Sequence, residues 1–129
     1  NEMRKNEVRF EEIQTTDADF IFVAYGLSAR ICMKAMDRAR SRGIKVGLFR
    51  PITLFPFPEK RLEELASGVK LMLTVELNSG QMVEDVRLAV NGKVPVKFYG
   101  RMGGVMPTPE EVVKKMETLI IKNEEKISI

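Results

Sequence analysis

The sequence contains no histidine and a single cysteine, Cys32. Without imidazole it lacks the commonest general base and the commonest metal ligand, which argues against a catalytic centre or metal site of its own. One cysteine excludes an internal disulfide and fits a reducing compartment, so a cytoplasmic location is expected. No apolar run reaches about 18 residues, so no membrane-spanning helix is expected. No signal peptide is expected either, because Asn1–Ile13 carries charge throughout. Internal repeats, low-complexity tracts and paired acids at acid–base spacing are also missing. The glycines form neither GxGxxG nor a Walker loop: after the first long apolar run the chain reads Tyr25-Gly26-Leu27-Ser28-Ala29-Arg30.

What is present is an ordinary globular composition, 129 residues with 44% hydrophobic and 30% charged positions. That length fits one domain, 1–129, burying roughly two-thirds of its unfolded surface. The polar opening at Asn1, without an initiator methionine, is what a fragment of a longer chain would show. The net charge of +3 is unevenly spread. Arg30, Lys34, Arg38, Arg40, Arg42, Lys45 and Arg50 face a single acid, Asp37, across 21 positions. This block reads either as a solvated helix face or as a docking surface for an acidic partner. It is also the sole support for nucleic-acid binding, and no nucleic-acid motif accompanies it.

Strand and helix signals alternate along the chain. Val8–Ile13 partly alternates in polarity, as an edge strand would, while Phe20–Tyr25, Ile44–Phe49 and Val69–Val75 are continuous apolar runs expected of strands covered on both faces. Val94–Tyr99 is a shorter strand whose Pro95 and Lys97 suggest a sheet edge. Between them, Ser28 is a candidate cap for a helix stopping at Gly43, and Pro58 opens a short helix over Glu59–Ala66. Asn78, with Gln81 three residues on, can cap a helix burying Met82, Val83, Val86, Ala89 and Val90. Thr108-Pro109-Glu110-Glu111 is the clearest helix start, and that helix is expected to run to about Asn123. Such alternation implies βαβ units, a mostly parallel sheet and right-handed crossovers. The first strand has no helix after it and is expected antiparallel at the edge. Cys32 falls on the apolar stripe of its helix, and the methionines fit helix packing.

In an open α/β sheet, ligands and partners gather beyond the carboxyl ends of the strands. The polar residues of interest fall in those loops: Ser28, Arg50, Glu76, Asn78, Gln81, Arg101, Gly103 and Gly104. These are the candidates for contact with a neighbouring domain; no catalytic, cofactor-binding or metal-ligating residue is expected among them. Glu76, closing a buried strand, is read as a hydrogen-bonded or ion-paired acid, with Arg50 and Arg101 its nearest candidate partners by loop. Arg101 is either an inter-domain ion pair or simply exposed. Gly103 and Gly104 can supply positive φ or admit another chain closely. A phosphate-bearing ligand such as coenzyme A at the Gly26 turn and basic helix is the competing reading.

Four stretches in order carry a resemblance: Val23–Arg30, Gly47–Pro58, Val75–Met82 and Tyr99–Glu111. Together they resemble the C-terminal part of the α subunit of 2-oxoacid:ferredoxin oxidoreductases, above all the 2-oxoisovalerate and 2-oxoglutarate types. The likeness runs from about Val8 to Ile121; Leu27 departs from it, where the family more often has a small polar residue. It implies a three-layer α/β/α, transketolase C-terminal-like fold, with a five-stranded sheet in the order 1-3-2-4-5 and its switch between the Gly26 and Glu76 loops. It also implies a whole enzyme that decarboxylates a 2-oxoacid on thiamine diphosphate with Mg, passes electrons through iron–sulfur clusters to ferredoxin, and gives the acyl group to coenzyme A. None of these cofactors is expected in this domain. The implied partners are the rest of the α subunit, the β subunit and further γ and δ subunits, with no nucleic acid and no membrane. On that reading, replacing Glu76 or Arg101 should weaken assembly without unfolding the domain.

Overall fold

The computed structural model describes residues 9–52, 57–76, 81–100 and 107–128. Its elements are β1 (Phe10–Ile13), β2 (Phe20–Val23), α1 (Leu27–Ser41), β3 (Val46–Pro51), α2 (Glu59–Ala66), β4 (Leu71–Glu76), α3 (Gln81–Val90), β5 (Val96–Gly100) and α4 (Pro109–Ser128). The five strands form one sheet in the order β1-β3-β2-β4-β5. Every pairing is parallel except β1 with β3, where Phe10 lies opposite Pro51 and Ile13 opposite Leu48. The antiparallel edge strand, the strand order and the three-layer α/β/α architecture all agree with the sequence expectation.

Strand periodicity decides which side chain enters which half of the core. Successive residues of β2 point to opposite faces, so Phe20 and Phe22 join Leu48, Leu71 and Leu73 beneath α1 and α4. Ile21 and Val23 join Phe49 and Met72 beneath α2 and α3. All four residues of β2 and all six of β4 are buried, because helices cover both faces of the central strands. Helix α1 contributes Ile31, Cys32, Ala35, Met36 and Ala39, and α4 contributes Val112, Val113, Met116 and Leu119. Burial pushes the Cys32 thiol well above its ordinary pKa, so it stays a neutral packing group.

Element ends differ from the sequence reading by a residue or two, for local reasons. Strand β3 starts at Val46 and not Ile44, because the Gly43 and Ile44 amides still donate to Arg40 and Ala39, closing α1. It continues to Pro51 because β1 pairs along it that far. Strand β4 likewise extends to Glu76, opposite Gly100. Strand β5 begins after Pro95, which has no amide hydrogen, although its carbonyl accepts from the Met72 amide. Helix α4 does not end near Asn123 but runs to Ser128. The expected capping box at its start is present: Thr108 Oγ1 accepts from the Glu111 amide, and the Glu111 carboxylate accepts from the Thr108 amide.

The edge strand is fastened by charge and by close approach. Arg61 of α2 donates to both carboxylate oxygens of Glu12, which also accepts from the Thr15 hydroxyl. Chiefly through that Arg61 hydrogen bond, the Glu12 carboxyl is held below its usual pKa. Gly47, buried in β3, lies under the β1–β2 turn, where an added Cβ would sit 2.6 Å from the Gln14 carbonyl oxygen.

Two outcomes are expected. Gly47→Ala forces backbone apart and should cost about 1–3 kcal/mol by urea denaturation. Because the Glu12 pKa is lowered by folding, its stabilisation is present above the unfolded carboxylate value and fades as pH falls through the folded one. Glu12→Gln should therefore be less stable than the natural chain by roughly 1 kcal/mol near pH 7. That difference should close below about pH 4 in melts followed by circular dichroism.

Candidate functional site

The strand order reverses between β2 and β4, the switch point at which open α/β sheets form a crevice beyond the carboxyl ends; here the Gly26 turn and Glu76 flank it. At the first border the chain leaves β2 through Gly26, whose φ of 61° and ψ of −137° favour glycine strongly. Gly26 itself occupies the N-cap position of α1, and no side chain caps this helix. This corrects the expectation for Ser28. Helix α1 already begins at Leu27, so Ser28 lies inside its first turn, buried at 4% exposure. Position Gly26, and not the hydroxyl two residues on, is the start signal.

At the second border Glu76 is 1% exposed, yet both of its oxygens are satisfied. Oε1 accepts from the Met82 amide and Oε2 from the Val83 amide, each at 3.0 Å. These are first-turn donors of α3, which otherwise lack intrahelical acceptors, and the helix dipole places positive potential there. Of the two expected arginine partners, Arg50 is engaged elsewhere. Arg50 pairs with Glu11 at 2.9 Å, directly across the antiparallel β1–β3 ladder. Arg101, Gly103, Gly104 and Asn78 lie outside the described residues, as does the side chain of Gln81; helix α3 starts at Gln81. The reading of Glu76 as a structural acid therefore holds.

The basic block is largely neutralised within the chain. Arg38 and Arg42 reach Glu110 of α4 at 3.3 and 2.6 Å, and Arg42 also reaches Glu117 at 3.7 Å. Arg40 pairs with Asp17 at 2.9 Å and donates to the Gln14 and Val46 carbonyls. The paired arginines keep the Asp17 and Glu110 carboxyls below their ordinary pKa. These contacts clamp α1 to α4 and to the β1–β2 turn, a use of the block that sequence spacing alone does not reveal.

Among the described residues, no group of three histidine, cysteine, aspartate or glutamate side chains could hold a metal. The donor set does not fit an iron–sulfur cluster, because the one thiol is buried in the core. An open cleft of about 790 Å³ lies beside Phe10, Phe57, Lys60, Arg61, Glu64 and Leu88. Its arginine is already held by Glu12 and Glu64, and Lys60 shares the lining with the carboxylates of Glu59, Glu63 and Glu64, a setting that suits a phosphate poorly. No helix among the described residues is long and apolar enough to cross a membrane.

Glu76→Gln keeps the shape but turns one acceptor into an NH2 group facing an amide hydrogen. It should lower stability by about 1–3 kcal/mol. Native-state hydrogen exchange should show the loss concentrated in faster exchange at Met82 and Val83; unchanged exchange there would contradict the capping role.

Three comparisons bear on this geometry. The family profile described as pyruvate:ferredoxin oxidoreductase core domain II matches residues 18–112. The ketoisovalerate oxidoreductase subunit VorB of Methanothermobacter marburgensis is 46% identical over 91% of this chain and 33% of its own length. The 2-oxoglutarate synthase subunit KorA of Methanocaldococcus jannaschii is 33% identical over 87% of this chain and 31% of its own. The chain thus spans about a third of these relatives. In structure it is similar to a 2-oxoglutarate:ferredoxin oxidoreductase from Magnetococcus marinus, solved with 2-oxoglutarate, coenzyme A and succinyl-CoA bound. The TM-score is 0.78 at 24% identity, covering 92% of this chain and 21% of that one. It is also similar to a split-gene transketolase described as an inactive beta4 tetramer, at a TM-score of 0.73, 20% identity, and coverage of 85% of this chain and 40% of that one. With its sheet order, its Glu76-capped switch point and a profile match across most of its length, the chain belongs to the 2-oxoacid:ferredoxin oxidoreductases, as their core domain II.

Proposed function

We propose that this chain is a non-catalytic assembly domain of a 2-oxoacid:ferredoxin oxidoreductase. In this reading the complete enzyme oxidatively decarboxylates a branched-chain 2-oxoacid, transfers the acyl group to coenzyme A and reduces ferredoxin. Thiamine diphosphate, Mg and iron–sulfur clusters sit on other parts of the protein and on its partner subunits. The observation that carries the reading is how the ionisable groups are used. Glu76, the one acid at the switch point, has both oxygens committed to helix α3, and four arginines of the basic block are committed to other elements. Among the described residues, these groups are not left open to act on a substrate.

The same commitment supports an architectural role for the strand-end rim, which presents Leu27 at 55% and Ile52 at 45% exposure. Arg50, Arg101, Asn78, Gln81, Gly103 and Gly104 belong to this rim by their place in the sequence, at or after the ends of β3, β4 and β5. They are the proposed contacts with the rest of the subunit, the β subunit and further γ and δ subunits. The names of the similar proteins, each a subunit, support such partners. The buried, protonated Cys32 suits a reducing compartment, and we place the protein in the cytoplasm.

The test is reconstitution. The full-length subunit containing this chain, purified with its partner subunits, should reduce ferredoxin or a viologen dye with 2-oxoisovalerate and coenzyme A. Deleting the domain should abolish both co-purification and turnover. An assembled, active complex lacking residues 1–129 would overturn the assembly role. Saturable coenzyme A binding to the isolated chain by calorimetry would favour a ligand-binding module.

A further inference from the structure

Three cations of the basic block form no ion pair among the described residues, Arg30, Lys34 and Lys45, and of these Lys45 still lends its charge to Asp17. Arg38, Arg40, Arg42 and Arg50 all reach carboxylates within the chain, whereas neither Arg30 nor Lys34 forms an ion pair among the described residues. Both are exposed on α1. With Leu27 they occupy positions i, i+3 and i+7, which fall on one side of a helix. The three side chains therefore rise along a stripe of about 10 Å. Leu27 stands at the rim end of the stripe, and Ile52, also exposed, follows β3, the strand paired with β2. Met33, at 37% exposure, flanks the stripe.

This composition is costly for a free surface and suited to a partner. A half-exposed leucine and isoleucine forgo apolar burial worth about 25 cal/mol per Å². Two adjacent like charges one turn apart repel weakly and gain from a carboxylate placed between them. Farther along the same helix, Arg38 and Arg42 meet that requirement through Glu110 of α4. The Arg30–Lys34 turn has no equivalent acid opposite it among the described residues.

We propose that the Leu27–Arg30–Lys34 stripe of α1 seats an acidic protein surface, one that brings carboxylates to the two cations and an apolar recess to Leu27 and Ile52. The proposal rests on the reading of this chain as an assembly domain. It narrows that role to one helix face and one partner chemistry. The partner surface lies on a companion subunit of the same enzyme, in keeping with relatives that are each a subunit; a Lys34 link only to the rest of its own subunit would count against it.

Carbodiimide treatment of the intact complex tests this directly, because it joins an ammonium to a carboxylate only where the two are in contact. After digestion, mass spectrometry should find Lys34 linked to an aspartate or glutamate of a companion subunit. The yield should fall several-fold in 1 M NaCl, where the screening length is about 3 Å. Lys34→Arg should abolish the link while leaving assembly intact. The double reversal Arg30→Glu/Lys34→Glu should weaken association at least tenfold by native mass spectrometry, whereas Lys114→Glu on α4 should not. Lys34 recovered unlinked, or linked only to acids of its own subunit such as Asp37, would overturn the proposal. So would unchanged association of the double reversal. A complex that stays assembled and active with the reversed stripe excludes the stripe alone. A complex that assembles without the domain refutes the assembly reading itself. Salt-sensitive binding of a DNA duplex to the stripe, without a protein crosslink, would also count against the proposal.

Discussion

The carboxylate of Glu76 fixes the geometry at the centre of this domain. It closes the fully buried strand β4, and its two oxygens take the Met82 and Val83 amides that open helix α3. A buried acid without partners would be costly, and so would a helix start with unsatisfied amides; each resolves the other. The contact sits at the reversal of strand order, so it determines where α3 departs and how the crevice between β2 and β4 is bordered. The opposite border relies on backbone conformation, through Gly26.

Around this point the ionisable side chains serve the fold. Arg61 and Glu12 bind the edge strand to α2, Arg40 binds α1 to the β1–β2 turn, and Arg38 and Arg42 bind α1 to α4. None of these exposed or half-exposed pairs contributes much singly. Together they set the helix layers over a sheet already held by apolar burial on both faces. An active site instead keeps some acids and bases in contact with open space. That difference is what supports the proposed assembly role.

Much of the fold was legible in the residues. Phe20–Val23 is apolar throughout and Leu71–Val75 is apolar but for Thr74 because both faces are covered, and the Thr108-Pro109-Glu110-Glu111 start forms the capping box its spacing implies. Helix α2 has the span expected from Pro58 and its apolar spacing. The site was less legible, since its partners are distant in sequence or belong to the backbone. Ser28 was misread because a hydroxyl near a helix start suggests a cap, while positive φ at Gly26 had already started the helix. The destination of Glu76 could have been suspected from an acid ending an apolar strand five residues before a helix. Arg50 as its partner could not have been ruled out without knowing that β1 returns antiparallel and places Glu11 opposite. The pairing of Arg38 and Arg42 with Glu110 spans about 70 positions, beyond any local pattern.

The central claim is that this domain meets its neighbours through the carboxyl strand ends and the adjoining face of α1, and performs no chemistry. Hydrogen–deuterium exchange, comparing the isolated chain with the complete subunit in its complex, tests that claim most directly. The account predicts slowed exchange confined to the amides around Gly26–Lys34 and the strand-end segments after β3, β4 and β5. Unchanged exchange at that rim, with slowing instead beside the cleft at Phe57–Glu64 and Leu88, would contradict it.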